Sequence, residues 1–433
     1  MTVFLINAVK LYVFAPKLHS FTGVRNPIFS NIANELGTDT HYHARSAIIP
    51  MPFAEKSPIL SFKNAFLGIC LLFLSFYPIY ANYYRGLAVE HYNRHKNLIA
   101  GKSWFFNPWQ YRILCPFMVE GMYQLYQASV DRVFHLEQYV KPAPVGDSSG
   151  KNEKTQQLLA DMQNPDFIKY TAIFVLFRAL EHLAIFYLAL LYYRQFVHNR
   201  WLLFFALGFI SIAMGNSVSD SDLTFNTYMD VIMYLSAGYI ILAGKPIWRI
   251  VPLTIVAAFN RETCLFIPAL LFVANIDFSN FYSLADWRTI KLPRAEVWVV
   301  TAVSLVFFAM IFVGIRLYYG YQPPTVWRVP AGLPMLKLNL LSSISIKTYF
   351  EMFGTFALLP FVFLFKFRAM DFRLRLFFLL MVPLWLLVHW VSVVAYQSRL
   401  YLVPTLLILL PGVLQLIERS IRREALAGQL PAA

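Results

Sequence analysis

Apolar residues fill long blocks along the chain from Ala65 onward, and short polar loops separate them. Each block is about 17–25 residues long, and a helix of that length crosses a hydrocarbon core about 30 Å thick. The pattern therefore predicts an all-α, polytopic bundle of transmembrane helices. The continuous blocks are Ala65–Tyr83, Thr171–Tyr192, Trp201–Asn216, Thr227–Ala243, Val297–Tyr318, Tyr349–Phe367, Leu376–Tyr396 and Leu400–Leu416.

One further block, between Ile250 and Ala274, is interrupted in its middle by Asn260, Arg261 and Glu262. Basic residues concentrate in cytoplasmic loops of membrane proteins. All the basic clusters fall on one side only if this block is a hairpin of two half-length helices that enters and leaves on the same face. The clusters are Lys56/Lys63, Arg194/Arg200, Lys245/Arg249, Arg288/Lys291/Arg294, Lys366/Arg368/Arg373/Arg375 and Arg419/Arg422/Arg423. This arrangement predicts about 9–10 membrane helices, with both termini cytoplasmic.

The predicted loops and ends define the organisation of the chain. Residues 1–62 form an irregular segment, cytoplasmic or interfacial, residues 63–418 the membrane domain, and residues 419–433 a basic cytoplasmic tail. The largest outward loop, 84–170, contains an amphipathic stretch over Tyr111–Val130 that is typical of a juxtamembrane helix.

Composition supports the membrane assignment. Of the 433 residues, 58% are apolar and only 14% are charged, and mean hydropathy is +0.54. These values exclude a soluble globular protein and a disordered chain. The net charge of +14 does not indicate nucleic-acid binding, because the basic residues lie in separate short loops. The three cysteines show no spacing typical of a zinc site or a disulfide framework.

Charged residues inside apolar blocks are the first candidates for chemistry, since a charge near the bilayer centre usually faces a partner or a cavity. Arg261 and Glu262 at the hairpin tip either bind an anion such as phosphate or pair as a structural cap. Asp230 shares a helix face with Asn226. It is either functional or a carboxylate that stabilises the start of a helix.

Other polar groups leave similar alternatives. Asp220 and Asp222 form a D-x-D pair that either holds a divalent cation or lies in a solvated turn. Arg178 is within one helical turn of Glu181 and His182, which favours a buried ion pair. The stretch that carries Arg112 either anchors the chain at the interface or covers a substrate groove.

Several short stretches resemble the GT-C superfamily, the polytopic membrane glycosyltransferases that use polyprenyl-phosphate sugars. Glu90-His-Tyr with Ala100-Gly101 is similar to the first-loop signature of these enzymes. Asn260-Arg261-Glu262-Thr263 lies where they carry a basic residue at a short-helix tip, and Ser398-Arg399-Leu-Tyr-Leu-Val-Pro404 resembles the start of their final span. The pair Tyr228-Met-Asp230 and Asn-Arg-Glu-Thr263 also resembles bacterial membrane proteins with a "YD…NRET" pattern.

The resemblance implies transfer of a sugar from a polyprenyl-phosphate donor to an extracytoplasmic glycan, lipid or protein acceptor. It implies that Glu90 and Asp230 are the catalytic carboxylates, and that Arg261 and Arg399 hold the phosphate. Glu262, His91, His95 and Arg112 are further candidates for binding substrate or phosphate. A divalent cation at Asp220 and Asp222 is the one cofactor considered, and many members of the superfamily need none.

Two other functions remain open from the sequence. One is a transporter or flippase of a lipid-linked or anionic solute, which also uses broken helices and intramembrane charges. The other is a non-catalytic relative that only binds a lipid phosphate. For all three, the expected location is a bacterial plasma (inner) membrane.

Overall fold

The structure, a computed structural model, describes residues 62–84, 88–101, 109–140, 163–217, 225–278, 288–320 and 329–427, with a few isolated positions between 150 and 160. The side chain of Glu90 and the whole of Asp220 and Asp222 lie outside the described residues. The chain divides into two compact units. In the smaller one, the described residues include a backbone pairing of Asp277 with Lys291. The larger one covers Leu67–Asn275 and Pro293–Ala433 and carries every site discussed below.

Helices form nearly all of the regular structure in the described part of the chain. They are α1 Phe62–Tyr84, α2 Ala88–Ile99, α3 Leu114–Ala128, α4 Leu136–Tyr139, α5 Pro165–Tyr193, α6 Arg200–Ser217, α7 Phe225–Leu242, α8 Ile250–Ala258, α9 Phe266–Ala274, α10 Ala295–Tyr319, α11 Leu333–Leu341, α12 Ser343–Phe356, α13 Leu359–Phe365 and α14 Phe372–Ser392, followed by α15 over Ser398–Glu424. Five of them, α5, α6, α10, α14 and α15, are long and apolar enough to cross a membrane, and the bent pair α12–α13 is a sixth candidate.

Local sequence sets where several helices begin. Asn164 caps α5 by accepting a hydrogen bond from the backbone N–H of Asp166 at 2.9 Å, and Pro165 takes the first helical position, where its missing N–H costs nothing. Asp371 caps α14 in the same way through the N–H of Arg373. The helix boundaries therefore follow from capping residues as well as from the apolar pattern.

Burial separates central from peripheral helices. In its most apolar window α15 is 89% buried, whereas α10 is 28% buried, so α15 runs through the middle of the larger unit. It contains a π-helical turn over Thr405–Leu409. The hydroxyls of Tyr192 and Tyr193 donate to the carbonyls of Leu407 and Leu406 at 2.7 and 2.8 Å. These bonds satisfy carbonyls that the wider turn leaves available.

The hairpin predicted for the interrupted block is confirmed. The block splits into α8 and α9 with a short 3-10 turn, Glu262–Leu265, after the break. Glu262 pairs with Arg316 near the end of α10, while Phe272, near the end of α9, packs against Trp298 near the start of α10 at 4.5 Å. The second half-helix therefore runs antiparallel to α10, with the tip at the end of α10.

The predicted span Tyr349–Phe367 is not one helix. It consists of α12 and α13, bent by 70°, with Ala357 at a positive φ of 48° between them. The cause is Pro360, because its ring would clash with the carbonyl of Phe356, four residues earlier, and ends the helix there. The predicted loop over Gly320–Ser345 also contains α11, which the Asn339 amide holds to the end of α14 through the carbonyls of Trp390 and Val393.

Candidate functional site

Three polar residues, Asn260, Arg261 and Glu262, form the hairpin tip between the two apolar half-helices. α8 ends at Ala258, and the backbone of Arg261 is extended, with φ −156° and ψ 152°. The start of α3 lies against this tip, since the N–H of Leu114 donates to the carbonyl of Phe259 at 3.2 Å. The Cys115 thiol also contacts the Asn260 side-chain oxygen at 3.5 Å. The first long loop and the hairpin therefore build one site.

A buried ion pair lies beneath the tip. Arg261 Nη1 donates to Asp230 Oδ2 at 2.8 Å, and Asn260 Nδ2 donates to Asp230 Oδ1 at 2.6 Å. The side chains of Arg261 and Asp230 are 3% and 0% exposed. Asn260 also donates to the backbone carbonyl of Asn226 at 2.7 Å. Asn226 and Asp230 both belong to helix α7, and Asn260 binds the backbone carbonyl of the first and the carboxylate of the second.

A second group of charges is more accessible. Glu262 accepts a hydrogen bond from Arg112 at 3.0 Å with Oε2 and one from Arg316 at 3.1 Å with Oε1. The three side chains are 10% exposed for Arg112, 23% for Arg316 and 28% for Glu262. We call Arg112, Glu262 and Arg316 the bridged cluster. Within the described part of the chain, one carboxylate is shared by two guanidiniums at a partly open surface, so the cluster has more positive than negative charge.

Aromatic rings fix the position of Arg316 in this cluster. Its guanidinium lies over the rings of Phe312 and Tyr111, with centroid distances of 3.4 and 4.5 Å. The Tyr111 hydroxyl donates to the carbonyl of Gly320, just after α10, at 2.8 Å. Nη1 of Arg316 donates to the backbone carbonyl of Phe312 at 3.2 Å, and Nη2 donates to Glu262. Stacking on two rings limits the orientations of the guanidinium and keeps Nη2 directed at Glu262.

Arg399 is buried at the start of α15, 4% exposed, and its guanidinium donates to Gln397 at 2.8 Å. His389 of α14 lies within electrostatic range of Arg399, Arg112 and Arg261. Arg399 and two arginines of the site are therefore each near His389, and the hydrogen bonds described for the Arg399 guanidinium go to Gln397.

The candidate histidines occupy packed positions on α2. His91 stacks on Phe174 at 4.2 Å, and His95 Nε2 lies 3.1 Å from Glu120 Oε2. Burial lowers the pKa of both rings. The charge of Arg178 adds to this effect at His91, whereas the Glu120 carboxylate partly opposes it at His95. Glu120 is partly buried, which favours its neutral form, yet donated hydrogen bonds, first from Tyr170 and then from His95, bring its pKa below the ordinary range. The two histidines therefore hold α2 against α3 and α5.

The remaining candidates divide between described and undescribed residues. Glu90 lies in the first turn of α2, but its side chain is outside the described residues, as are Asp220 and Asp222. Within the part of the chain that the structure describes, no group of three or more His, Cys, Asp or Glu side chains could hold a metal ion.

Sequence reasoning missed Arg316, although one signal was available. It is a lone guanidinium in the last turn of an otherwise apolar helix of 25 residues. Such a residue either snorkels to the interface or meets a buried acid. Only the fold shows that the acid is Glu262, which lies 54 positions earlier in the chain.

Comparisons with known proteins give no relative for this chain. No protein-family model matches it, and neither does any curated protein or solved structure.

Proposed function

We propose that the chain is an integral membrane glycosyltransferase that takes a sugar from a polyprenyl-phosphate donor, and that the bridged cluster binds the donor phosphate. The observation that supports this most is the pair of guanidiniums, Arg112 and Arg316, on one partly exposed carboxylate. Arginine forks bind phosphate oxygens through two parallel hydrogen bonds. The apolar helices around the site suit a substrate with a long hydrocarbon chain.

The division between buried and accessible charges suggests separate roles. Both oxygens of Asp230 already accept hydrogen bonds from the tip, and the side chain is fully buried. We therefore assign Asp230 and Arg261 to positioning the tip, and phosphate binding to Arg112 and Arg316. Arg399 remains a candidate for a second phosphate contact, and Glu90 for a second carboxylate.

In this proposal Glu262 is the proton acceptor. The acceptor hydroxyl oxygen bonds to the anomeric carbon as the bond from that carbon to the phosphate oxygen breaks. The hydroxyl proton passes to Glu262, and polyprenyl phosphate leaves with an additional negative charge. Positive groups held in place before the reaction stabilise that charge as it develops. Arg112 and Arg316 already lie at 3.0 and 3.1 Å from the carboxylate that would receive the proton.

The test is binding of polyprenyl phosphate to the detergent-purified full chain by native mass spectrometry. Arg112→Gln and Arg316→Gln are each expected to weaken binding by about 10- to 100-fold, the equivalent of a charge-assisted hydrogen bond of roughly 1.5–3 kcal/mol. Arg249→Gln is the matched control, because Arg249 is an exposed arginine at the far end of α8. Binding that is equal in all four proteins would overturn the proposed phosphate site.

Catalysis needs a separate measurement. Wild type is expected to release polyprenyl phosphate from at least one polyprenyl-phosphate hexose in the presence of membrane lipids and glycans, and Glu262→Gln is expected to bind the donor without releasing it. Binding without release by wild type, across a panel of such donors, would instead favour the non-catalytic lipid-phosphate binder.

A further inference from the structure

A second acidic group lies deep in the bundle and takes no part in the bridged cluster. Glu181 is near the middle of the 29-residue helix α5, about 24 Å from the start of that helix at 1.5 Å per residue. The residue is 3% exposed. Neither of its carboxylate oxygens accepts a hydrogen bond from any residue that the structure describes.

The neighbouring cation does not supply the missing bond. The guanidinium carbon of Arg178, one turn earlier on α5, lies 4.3 Å from the centroid of the Phe225 ring on α7. The sequence favoured an ion pair of Arg178 with Glu181, whereas neither oxygen of Glu181 accepts a hydrogen bond from Arg178 in the structure. Arg178 remains close enough to act on Glu181 electrostatically.

The other titratable groups around Glu181 have contacts of their own. His182, the next residue on α5, packs edge-on against the Tyr228 ring at 5.0 Å. The Cys115 thiol of α3 lies within electrostatic range of Glu181, and it contacts Asn260. The Tyr228 hydroxyl donates to the carbonyl of Met214. None of these contacts places a hydrogen-bond donor on the Glu181 carboxylate.

An ionised carboxylate that is buried without a donor is much less stable than the neutral acid, because it has lost its water and gained no hydrogen bond in return. A protonated acid instead carries one O–H that needs an acceptor. That single requirement is smaller than the several donors that a buried carboxylate anion needs. The interior next to α5 therefore suits the acid better than its anion.

We propose that Glu181 is a proton-binding site of the closed bundle, neutral in this conformation and ionised only when water reaches its carboxylate. Because the neutral acid is compatible with the closed bundle and the anion is not, proton binding favours closure and ionisation favours opening. This site is separate from the bridged cluster, so the proposal does not depend on the glycosyltransferase function.

Infrared spectroscopy of the full chain in lipid nanodiscs at neutral pH tests the proposal. A protonated carboxyl group has a C=O band that ionised carboxylates lack and that shifts in heavy water. The band is expected in wild type and in Glu120→Gln, whose native carboxylate accepts hydrogen bonds from Tyr170, His95 and Gln124. It is expected to disappear in Glu181→Gln and to return, shifted in frequency, in Glu181→Asp.

Two outcomes would overturn the proposal. One is a wild-type spectrum in which no band is lost on substituting Glu181, since the group would then be ionised. The other is a band that appears only when sodium and potassium are replaced by a large organic cation, since Glu181 would then bind an alkali cation and not a proton. If Glu181→Gln does not fold, the comparison is made with carbon-13 in the glutamate side chains of wild type and of Glu181→Asp. The isotope-shifted C=O band is then expected in wild type and is expected to be absent in Glu181→Asp, and its presence in both or in neither would overturn the proposal.

Discussion

Breaking the buried pair beneath the hairpin tip gives the most direct test of how the site is built. In Asp230→Asn the amide keeps the shape of the carboxylate but removes its charge. Arg261 would then keep a buried positive charge, 3% exposed, with no carboxylate in place of the present contact at 2.8 Å. The Nε atom of Arg261 has no hydrogen-bond partner already. Glu262, the other acid within electrostatic range, accepts its hydrogen bonds from Arg112 and Arg316. Arg112, also within electrostatic range, adds repulsion.

Removing one member of a buried ion pair typically costs 3–5 kcal/mol, so we expect Asp230→Asn to lower the free energy of unfolding by about that amount. In the double variant Asp230→Asn/Arg261→Met both charges are absent. Its decrease in the free energy of unfolding is expected to be smaller than the sum of the decreases in the two single variants by at least about 1 kcal/mol. The assay is unfolding of the purified protein in mixed detergent and SDS micelles, followed by tryptophan fluorescence.

Asp277→Asn is the control, because it breaks an exposed ion pair. Asp277 Oδ2 lies 3.9 Å from Lys291 Nζ, and the two side chains are 47% and 69% exposed. Exposed pairs contribute little, so its unfolding curve should superimpose on that of wild type. A loss below about 1 kcal/mol for Asp230→Asn, or strictly additive single losses, would show that the buried pair does not hold the tip.

Three further predictions concern the bundle around the site. Tyr192→Phe should lower the free energy of unfolding by about 0.5–1.5 kcal/mol in the same assay, because it leaves a buried carbonyl of the π-helical turn unpaired. Gly215→Ala should cost about 1–3 kcal/mol, since its new Cβ would overlap a tyrosine ring of α1, whereas Gly208→Ala on the same helix meets open space and should cost nothing. The buried His95 has a pKa below its ordinary value of 6.5, so unfolding releases a ring that takes up a proton more readily. Thermal stability should therefore fall as the pH drops below about 6.5. His95→Gln should reduce this dependence of thermal stability on pH. An unchanged dependence would contradict the lowered pKa assigned to His95.

The apolar pattern predicted most of the long helices because each is a continuous block bounded by polar residues. It also predicted the hairpin, because Asn260, Arg261 and Glu262 interrupt an otherwise apolar stretch. It failed over Tyr349–Phe367, where hydropathy alone hides the effect of one proline on the preceding turn. It also gave a loop over Gly320–Ser345, where the structure has α11, because the contacts of Asn339 with the end of α14 that hold this short helix are not visible in the hydropathy.

The site was predictable only in part, because its contacts are far apart in sequence. The tip residues and Asp230 could be selected as charges that a bilayer tolerates only with a partner. Which carboxylate pairs with which arginine depends on the packing of four separate elements, and the separations run from 31 positions for Arg261 with Asp230 to 150 for Arg112 with Glu262. A single sequence carries no information on such long-range pairs.

The charge balance of the site leads to a final prediction about the proposed reaction. Among the residues that the structure describes, three arginines face two carboxylates across the buried pair and the bridged cluster, an excess of one positive charge. A polyprenyl-phosphate sugar is a phosphodiester with a single negative charge, whereas the leaving polyprenyl phosphate carries about −1.5 to −2 near neutral pH. Proton transfer to Glu262 removes one carboxylate charge as the phosphate gains one, so the site stays balanced throughout the transfer.

Glu262→Gln imitates the protonated state of this carboxyl group. If Glu262 takes the proton, the variant should bind polyprenyl phosphate several-fold more tightly relative to a polyprenyl-phosphate hexose than wild type does, because only the first ligand carries the additional charge. Native mass spectrometry with both lipids gives the ratio directly. Glu418→Gln, which alters an acid at the opposite end of α15 from Arg399, should leave that ratio unchanged. A ratio that is equal in wild type and Glu262→Gln would mean that the proton goes elsewhere, and Glu90 would then be the carboxylate to test next.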